Sequence, residues 1–156
     1  MRHIKEKIIR AVAGAGEGHI PSAFSFLDIL WVLYDRILGI TPENAADPDR
    51  NRMVLSKGHA SLGLYAVLAE KGIIDQDMLI NFARQDSCLG GHPGRTKVPG
   101  VEASTGSLGH GLPMAVGLAL GLRIRKKSSK VYAIIGDGEC NEGTIWESAL
   151  LAAHHK

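Results

Sequence analysis

A chain of 156 residues, 45% of them apolar and 22% charged, has the composition of one ordinary globular domain. Its net charge of +2 is too small to indicate a protein that binds nucleic acid or an acidic membrane surface. No apolar run approaches the roughly 20 residues of a membrane span, and two cysteines, Cys88 and Cys140, are typical of a reducing cytosol. We therefore expect a cytoplasmic protein with neither nucleic-acid nor membrane partners.

The first half of the chain alternates helical patterns with loops. Residues 3–13 interleave isoleucine with lysine and arginine, which is typical of an amphipathic first helix and not of a signal peptide. Residues 24–38 carry two apolar stripes side by side, which predicts one helix that is buried on two sides. A polar loop then leads to a short strand at 52–56 and to helices at about 60–71 and 75–84.

The second half begins with a long glycine-rich loop. Pro113 suits the first turn of the helix that follows, and Gly117 and Gly121 share a face of this helix that permits close packing. Residues 131–135 are almost wholly apolar, as expected of a strand with helices on both faces. A last helix is predicted over 144–155.

Strands separated by helices predict an α/β fold, a parallel sheet with helices on both faces. Only two strands are evident in the sequence, and two strands cannot bury both faces of such a sheet. We therefore expect residues 1–156 to be the N-terminal part of a domain that is incomplete at the C-terminus.

The second strand runs directly into Gly136-Asp137-Gly138. In open α/β sheets, ligands bind beyond the carboxyl ends of the strands, where helix N-termini favour anions. A carboxylate beside an anion repels it unless a cation lies between them, and Mg²⁺ takes oxygen ligands from carboxylate and phosphate together. The pattern indicates a site for magnesium and a diphosphate at Asp137. The structural alternative is a turn aspartate that caps the next helix.

Four of the seven histidines directly follow a glycine, in loops of the predicted fold. They are His19, His59, His92 and His110. An isolated histidine is more often a hydrogen-bonded core or surface group than a functional one. Four histidines in glycine loops favour a functional site.

Four segments, in order along residues 18–155, are similar to segments of the transketolase family. They are GDGECNEGTIWESALLAAHH after the second strand, VLSKGHASLGLYAVLAEKG, GHPGRTKVPGVEASTGSLGHGLPMAVGLALG and, less closely, GHIPSAFSFLDILWVLYDRIL. Four collinear segments are far more specific than any one of them. The chain resembles the N-terminal half of the domain that binds thiamine diphosphate, of the type found in transketolases split into two chains.

The resemblance implies a role for each residue that matches a family motif. The diphosphate contacts a histidine and a glycine amide, backbone atoms face the aminopyrimidine, a leucine packs on the cofactor rings, and two histidines move protons at the substrate. The cofactor-binding residues are His59, Gly106, Leu108 and Gly138, the metal ligand is Asp137, and the catalytic residues are His19 and His92. Glu142 and Glu147 match acidic positions near a dimer interface; first-turn glutamates favoured by the helix dipole are the alternative.

The activity that the resemblance implies is transfer of a two-carbon ketol unit between sugar phosphates, with thiamine diphosphate and Mg²⁺. In this family, the glutamate that activates the aminopyrimidine lies in a separate domain. We therefore expect a partner, a C-terminal subunit that carries the pyrimidine-binding domain, in a homodimer or heterotetramer. An asparagine and a carbonyl that complete the magnesium shell belong to a strand beyond Lys156, so we expect the isolated chain to be inactive and to bind the cofactor weakly or not at all.

Two positions depart from the family pattern. The segment His19-Ile20-Pro21-Ser22 lacks the usual glycine, and this change near the substrate leaves the identity of the sugars open. His110 stands where the family usually has glutamine, and histidine can titrate as well as donate.

Three other readings of the sequence compete with a transketolase. A non-catalytic remnant or assembly subunit fits the early end of the chain, but not the joint presence of the histidines and Asp137. A metal hydrolase is disfavoured because His154 and His155 are neighbours on a helix and cannot face one metal as an i, i+4 pair could. A dehydrogenase is disfavoured because no GxGxxG follows a strand.

Overall fold

Two short parallel strands form the centre of the structure, a computed structural model that describes residues 1–155. β1 (Arg52–Leu55) pairs with β2 (Val131–Ile134), with Arg52 opposite Val131 and Leu55 opposite Ile134. The predicted parallel α/β arrangement is confirmed, and each strand ends one residue earlier than the sequence pattern indicates.

The first helix, α1 (Arg2–Ala15), buries one apolar face. Its buried residues Ile4, Ile8 and Ala11 recur at the spacing of a helical stripe. Gly16 ends the helix in the left-handed conformation, with φ of 74°, and its amide donates to the Val12 carbonyl. The prediction of an amphipathic first helix is confirmed.

The prediction of one continuous helix over residues 24–38 is wrong. The segment belongs to three helical pieces: α2 (Ile20–Phe24), α3 (Leu27–Val32) and a π-helical turn at Leu33–Ile37. The chain leaves the helical conformation at Phe26, where φ is −125°. The buried Phe26 ring packs so closely on Gly63 that a Cβ there would lie 3.0 Å from it. Tertiary packing of this ring overrides the helical periodicity.

The helix predicted over residues 75–84 is shorter and tighter than expected. It is a 3₁₀ helix at Gln76–Asn81. The Asp75 carboxylate caps its N-terminus by accepting from the Asp77 amide at 3.0 Å. Ala83, with a left-handed φ of 54°, follows it.

The core is centred on α4 (Ser61–Glu70), which follows a 3₁₀ turn at Gly58–Ala60. Nine of its ten residues are buried. Helices α1, α2 and α3 pack around it, and side chains of β1 such as Met53 and Leu55 complete the same apolar cluster. This cluster covers one face of the sheet.

The other face of the sheet is covered by α5 (Gly111–Ile124), which packs against both strands, and α6 (Gly143–His155) packs against α5. Helices therefore lie on both faces, as predicted. Whereas three of the four residues of β1 are buried, the residues of β2 remain only half-buried within residues 1–155. The full coverage expected from its apolar sequence is not reached there.

The outer face of α5 is open in the described part of the chain. No atom lies within 4 Å of a Cβ built on Gly117 or Gly121, so the predicted close packing at these glycines is not made by residues 1–155. Both glycines line a cavity of about 820 Å³. Apolar side chains are also exposed nearby, above all Ile124 and Leu150. None of the helices formed by residues 1–155 has the length and apolar character needed to cross a membrane.

Candidate functional site

The loops that follow the two strands meet at one edge of the sheet. β1 continues into Ser56-Lys57-Gly58-His59, and β2 continues into Gly136-Asp137-Gly138. Because the strands are parallel, both loops leave from the same edge. A cavity of about 330 Å³ lies between them. Four of the residues predicted from sequence line this cavity: His59, Leu108, Asp137 and Gly138.

Three of the predicted histidines lie close together beside the cavity. The rings of His19 and His59 are nearly perpendicular, with 5.5 Å between their centroids. Burial, followed by the positive charges of Lys57, His19 and His92, lowers the pKa of His59 below its ordinary value of 6.5. The His59 ring is therefore largely neutral at pH 7, and one of its nitrogens can accept while the other donates.

Close backbone contacts join the loop that carries Gly106 to the two other segments. A Cβ on Gly106, where φ is 155°, would lie 2.9 Å from Cδ2 of His92. A Cβ on Gly58 would lie 2.7 Å from the Thr105 carbonyl oxygen. Only glycine permits these approaches without displacement of a neighbour. Gly106 and His92 are therefore placed beside the loop that carries His59.

Asp137 is exposed and does not serve as a cap. Its side chain makes no capping hydrogen bond to the 3₁₀ turn at Gly138–Asn141, and none of the hydrogen bonds or ion pairs formed within residues 1–155 involves its carboxylate. The structural alternative raised by the sequence, a turn aspartate that caps the next helix, does not hold. The carboxylate is free to accept a cation at the edge of the cavity.

The capping role belongs instead to Glu139, which the sequence analysis missed. Its side chain is only 1% exposed. Its carboxylate accepts from the Gly136 amide at 2.8 Å, from the Gly109 amide at 3.0 Å and from Ser56 Oγ at 2.6 Å. The available signal was a carboxylate three residues after Gly136, the spacing at which a side chain reaches back to a preceding amide.

A second residue left out of the sequence prediction, Lys57, also lines the cavity. Its ammonium group donates to Ser25 Oγ at 2.9 Å and lies 5.3 Å from the centre of the Phe26 ring. Pro21 and Ser22 line the same cavity, so the departure from the family pattern after His19 lies at the site itself. The lysine adds a positive charge that suits an anionic ligand.

The remaining residues considered from sequence lie outside the cavity. His110 precedes α5, and its Nδ1 lies 2.9 Å from the Leu108 carbonyl oxygen and 3.1 Å from Ser107 Oγ. Glu142 directly precedes α6, next to the positive end of its dipole, whereas Glu147 lies beyond the first turn, so the helix-dipole explanation does not apply to Glu147.

Comparison with known proteins decides the family. Residues 2–156 match the family model described as transketolase, thiamine diphosphate binding domain. The chain belongs to the transketolase family. The resemblance stated from the sequence motifs is confirmed over the whole chain.

Curated relatives in this family are similar along most of this chain. The chain is 45% identical over 155 residues to one of the subunits of an apulose-4-phosphate transketolase from Actinobacillus succinogenes, which is 98% of this chain and 56% of that protein. It is 50% identical over 137 residues to the protein named Ferredoxin fas2 of Rhodococcoides fascians, which is 87% of this chain and 45% of that protein. The chain thus spans about half the length of these relatives.

Solved structures of transketolases share the fold. The transketolase from Leishmania mexicana superimposes with a TM-score of 0.83 at 32% identity, over 97% of this chain and 24% of that one. The α/β fold with a parallel sheet, predicted from the order of strands and helices, is confirmed as that of this family.

The residues present at the cavity fit thiamine diphosphate with a magnesium ion. A free carboxylate at Asp137 suits a hard cation, while Lys57, the neutral ring of His59 and the exposed Gly138 turn offer donors to an anion. Within residues 1–155, no three His, Cys, Asp or Glu side chains are grouped to hold a metal by themselves.

Proposed function

We propose that the chain is the diphosphate-binding part of a transketolase, which transfers a two-carbon ketol unit from a phosphorylated ketose to a phosphorylated aldose. The observation that carries the proposal is the convergence of both strand-end loops on one cavity, with the free carboxylate of Asp137 and the ring of His59 in its wall. Membership of a family whose domain binds thiamine diphosphate supports it.

In this proposal, the cofactor is held from both sides of the cavity. Asp137 ligates Mg²⁺, and the Gly138 amide and His59 bind the diphosphate. Gly106 offers backbone atoms to the aminopyrimidine, and Leu108, whose side chain is exposed at the cavity, packs against the cofactor rings. The open space around Gly138, with no atom within 4 Å of an added Cβ, supports its close approach to a ligand.

The catalytic work of the chain falls to its histidines. When bound, thiamine diphosphate supplies the nucleophilic carbon and the electron sink for the two-carbon transfer. His19 and His92 are exposed beside His59, where they can donate to substrate hydroxyls and move protons. Orientation of the sugar by these donors lowers the barrier through positioning and charge stabilisation.

We further propose that the chain acts with a C-terminal partner subunit that carries the pyrimidine-binding domain, in a cytoplasmic homodimer or heterotetramer. Support comes from a relative whose name describes it as one subunit of a transketolase, and half of whose length is matched here. The name of that relative specifies apulose 4-phosphate, and a sugar phosphate is the substrate class that we propose for this chain. The isolated chain is expected to lack transketolase activity and to bind the cofactor weakly or not at all.

Calorimetric titration with thiamine diphosphate tests the role of Asp137. We expect the chain co-expressed with its partner subunit to bind the cofactor only when Mg²⁺ is present, and Asp137→Asn to lower the affinity at least tenfold, because the cation loses its protein ligand. The control is Asp28→Asn, which changes an exposed aspartate in α3.

Two outcomes would contradict the proposal. Unchanged magnesium-dependent affinity in Asp137→Asn would remove the metal ligand from the scheme. An assembly that forms with its partner but binds no cofactor would instead identify a non-catalytic assembly subunit. Micromolar binding by the lone chain would overturn only the expected need for a partner.

A further inference from the structure

The side chain of Glu139 connects three separate segments around the cavity. Its Oε1 accepts from Ser56 Oγ at 2.6 Å and from the Gly109 amide at 3.0 Å, and its Oε2 accepts from the Gly136 amide at 2.8 Å. Ser56 Oγ in turn accepts from the Gly111 amide at 3.1 Å, at the start of α5. One buried carboxylate therefore holds the ends of both strands and the loop before α5.

Each of these segments carries a residue that we propose to bind the cofactor. Ser56 lies three positions before His59, Gly109 follows Leu108, and Gly136 precedes Asp137. A shift of any one segment away from Glu139 changes the spacing between these proposed cofactor ligands.

The partners of Glu139 are two amides and a hydroxyl, all neutral. No ion pair formed within residues 1–155 includes this carboxylate, although its side chain is almost completely buried. A buried charge is costly unless all of its hydrogen bonds are made, and charge-assisted hydrogen bonds are stronger than neutral ones. Because three donors from separate segments converge on one buried side chain, Glu139 holds them in a single geometry.

Asp137, two residues earlier, has a different environment. The amides of Glu139 and Cys140, from which an N-cap side chain would accept, donate instead to the carbonyls of Gly136 and Asp137. Asp137 makes no capping hydrogen bond and stays exposed at the cavity. The two carboxylates, two residues apart, therefore have separate tasks: one is satisfied by the protein, and the other is available to a ligand.

We propose that Glu139 is a positioning residue of the cofactor site. It acts through the three segments that it holds and sets the distances between the groups that bind the metal and the diphosphate. This inference rests on the proposed function, because it concerns the same cavity and the same ligands.

The test compares Glu139→Gln with the unmodified protein, each co-expressed with the partner subunit. Glutamine keeps the size of the side chain but replaces one acceptor oxygen with an NH₂ group, which faces a donor in either orientation. We expect the affinity for thiamine diphosphate with Mg²⁺ to fall at least tenfold by calorimetry. The matched control, Glu6→Gln, removes only an exposed i, i+4 pair with Arg2 and should bind normally.

Hydrogen exchange provides a readout that needs no cofactor. We expect the amides of Gly109 and Gly136 to exchange at least tenfold faster in Glu139→Gln, while the amide of Leu64 in the core keeps its protection. If the unmodified protein shows protection at both glycines but binds no cofactor, the proposed function fails while the contacts of Glu139 stand. The two failures are thereby distinguished.

Three results would overturn the inference. Unchanged cofactor affinity in a folded Glu139→Gln would do so. A variant with a lower melting temperature, but with unchanged cofactor affinity when it is measured well below that temperature, would do so as well. Where Glu139→Gln does not fold, Ser56→Ala removes one of the three donors and decides the matter. We expect it to weaken cofactor binding by about threefold to tenfold, and unchanged binding in that variant contradicts the proposal.

Discussion

Helices α4 and α5 have similar apolar sequences but very different surroundings. Nine of the ten residues of α4 are buried, whereas α5 buries only three of fourteen: Gly111, Ala115 and Leu122. The difference comes from the neighbours. α4 is enclosed by three helices, while α5 has the sheet on one side and α6 on another, and its remaining face is open within residues 1–155. Apolar composition predicts that a helix has surface to bury, but it does not identify what covers that surface.

The candidate site lies where these two regions meet. Its β1 loop belongs to the enclosed region around α4, and its Asp137 turn belongs to the open region of β2, α5 and α6. At the cavity, Glu139 and Ser56 make polar contacts between the regions, although the outer apolar face of α5 is not covered within residues 1–155. The geometry of the cavity therefore depends on a few hydrogen bonds. A substitution at one of them can change ligand binding without an equal change in the stability of the chain.

The largest expected contrast is between two leucine truncations. Leu68→Ala removes a side chain that is 0% exposed in α4, and it should lower the free energy of unfolding by about 2–5 kcal/mol. Leu150→Ala removes one that is 73% exposed in α6, and it should change stability by less than about 0.5 kcal/mol. Urea denaturation of the chain measures both. A cost above about 1 kcal/mol for Leu150→Ala would show that its face is covered in solution.

Two glycines of the same helix should respond with opposite signs. A Cβ at Gly111 would lie 2.4 Å from Ser56 Cα, so Gly111→Ala forces the backbone apart and should cost about 1–3 kcal/mol. Gly117 has open space around it, so Gly117→Ala should stabilise the chain by about 0.5–1 kcal/mol through helix propensity.

Thermal and urea unfolding of the two glycine variants, compared with a Gly121→Ala control, measure the sign of each change in stability. Gly121 also has no neighbour within 4 Å and should behave like Gly117. A loss of stability in both Gly117→Ala and Gly121→Ala would indicate that another surface packs closely on this face in solution.

The same contrast explains which parts of the fold could be predicted from sequence. The two strands and α1 follow from local periodicity, and these predictions are confirmed. The helix predicted over 24–38 is wrong because Phe26 turns into the space left by Gly63, a contact between residues that are distant in sequence. Half-burial of β2 was also missed, since a strand sequence does not reveal how fully its two faces are covered.

At the site, the sequence indicated the groups but not the connections between them. A strand that ends in Gly136-Asp137-Gly138 identifies the edge of a sheet where ligands bind, and the structure places His59 at the same cavity. Glu139 was missed because two of its three donors, Ser56 and Gly109, lie 83 and 30 positions away from it. Such a convergence has no period or motif by which it could be recognised in one chain.

The smallest expected effect concerns ion pairs at the edges of the two regions. Glu70 at the end of α4 accepts from Lys7 at 2.9 Å and pairs with His3 at 3.0 Å, and the hydrogen bond from Lys7 is the main cause that lowers the pKa of Glu70 below 4.5. A carboxylate whose pKa is lower in the folded protein stabilises it above the unfolded value, and this contribution disappears as the pH falls through the folded pKa. Glu70→Gln should therefore flatten the loss of unfolding free energy between about pH 5 and pH 3.

The size of this effect is limited by exposure. Because the Glu70 side chain is partly exposed, solvent screening should limit the pair to about a few tenths of a kcal/mol at neutral pH. In the open region, Asp49 forms similar pairs with Lys127 at 2.6 Å and Arg125 at 2.9 Å, and its pKa is also lowered, chiefly by the hydrogen bond with Lys127. Asp49→Asn should likewise flatten the loss of unfolding free energy at acid pH. We expect 1 M salt to remove more of its effect than that of Glu70→Gln, since the Asp49 side chain is 32% exposed and that of Glu70 is 23% exposed. Equal salt sensitivity of the two variants, measured by urea unfolding at pH 3 to 7, would mean that the ion pairs of the enclosed and open regions are equally hydrated.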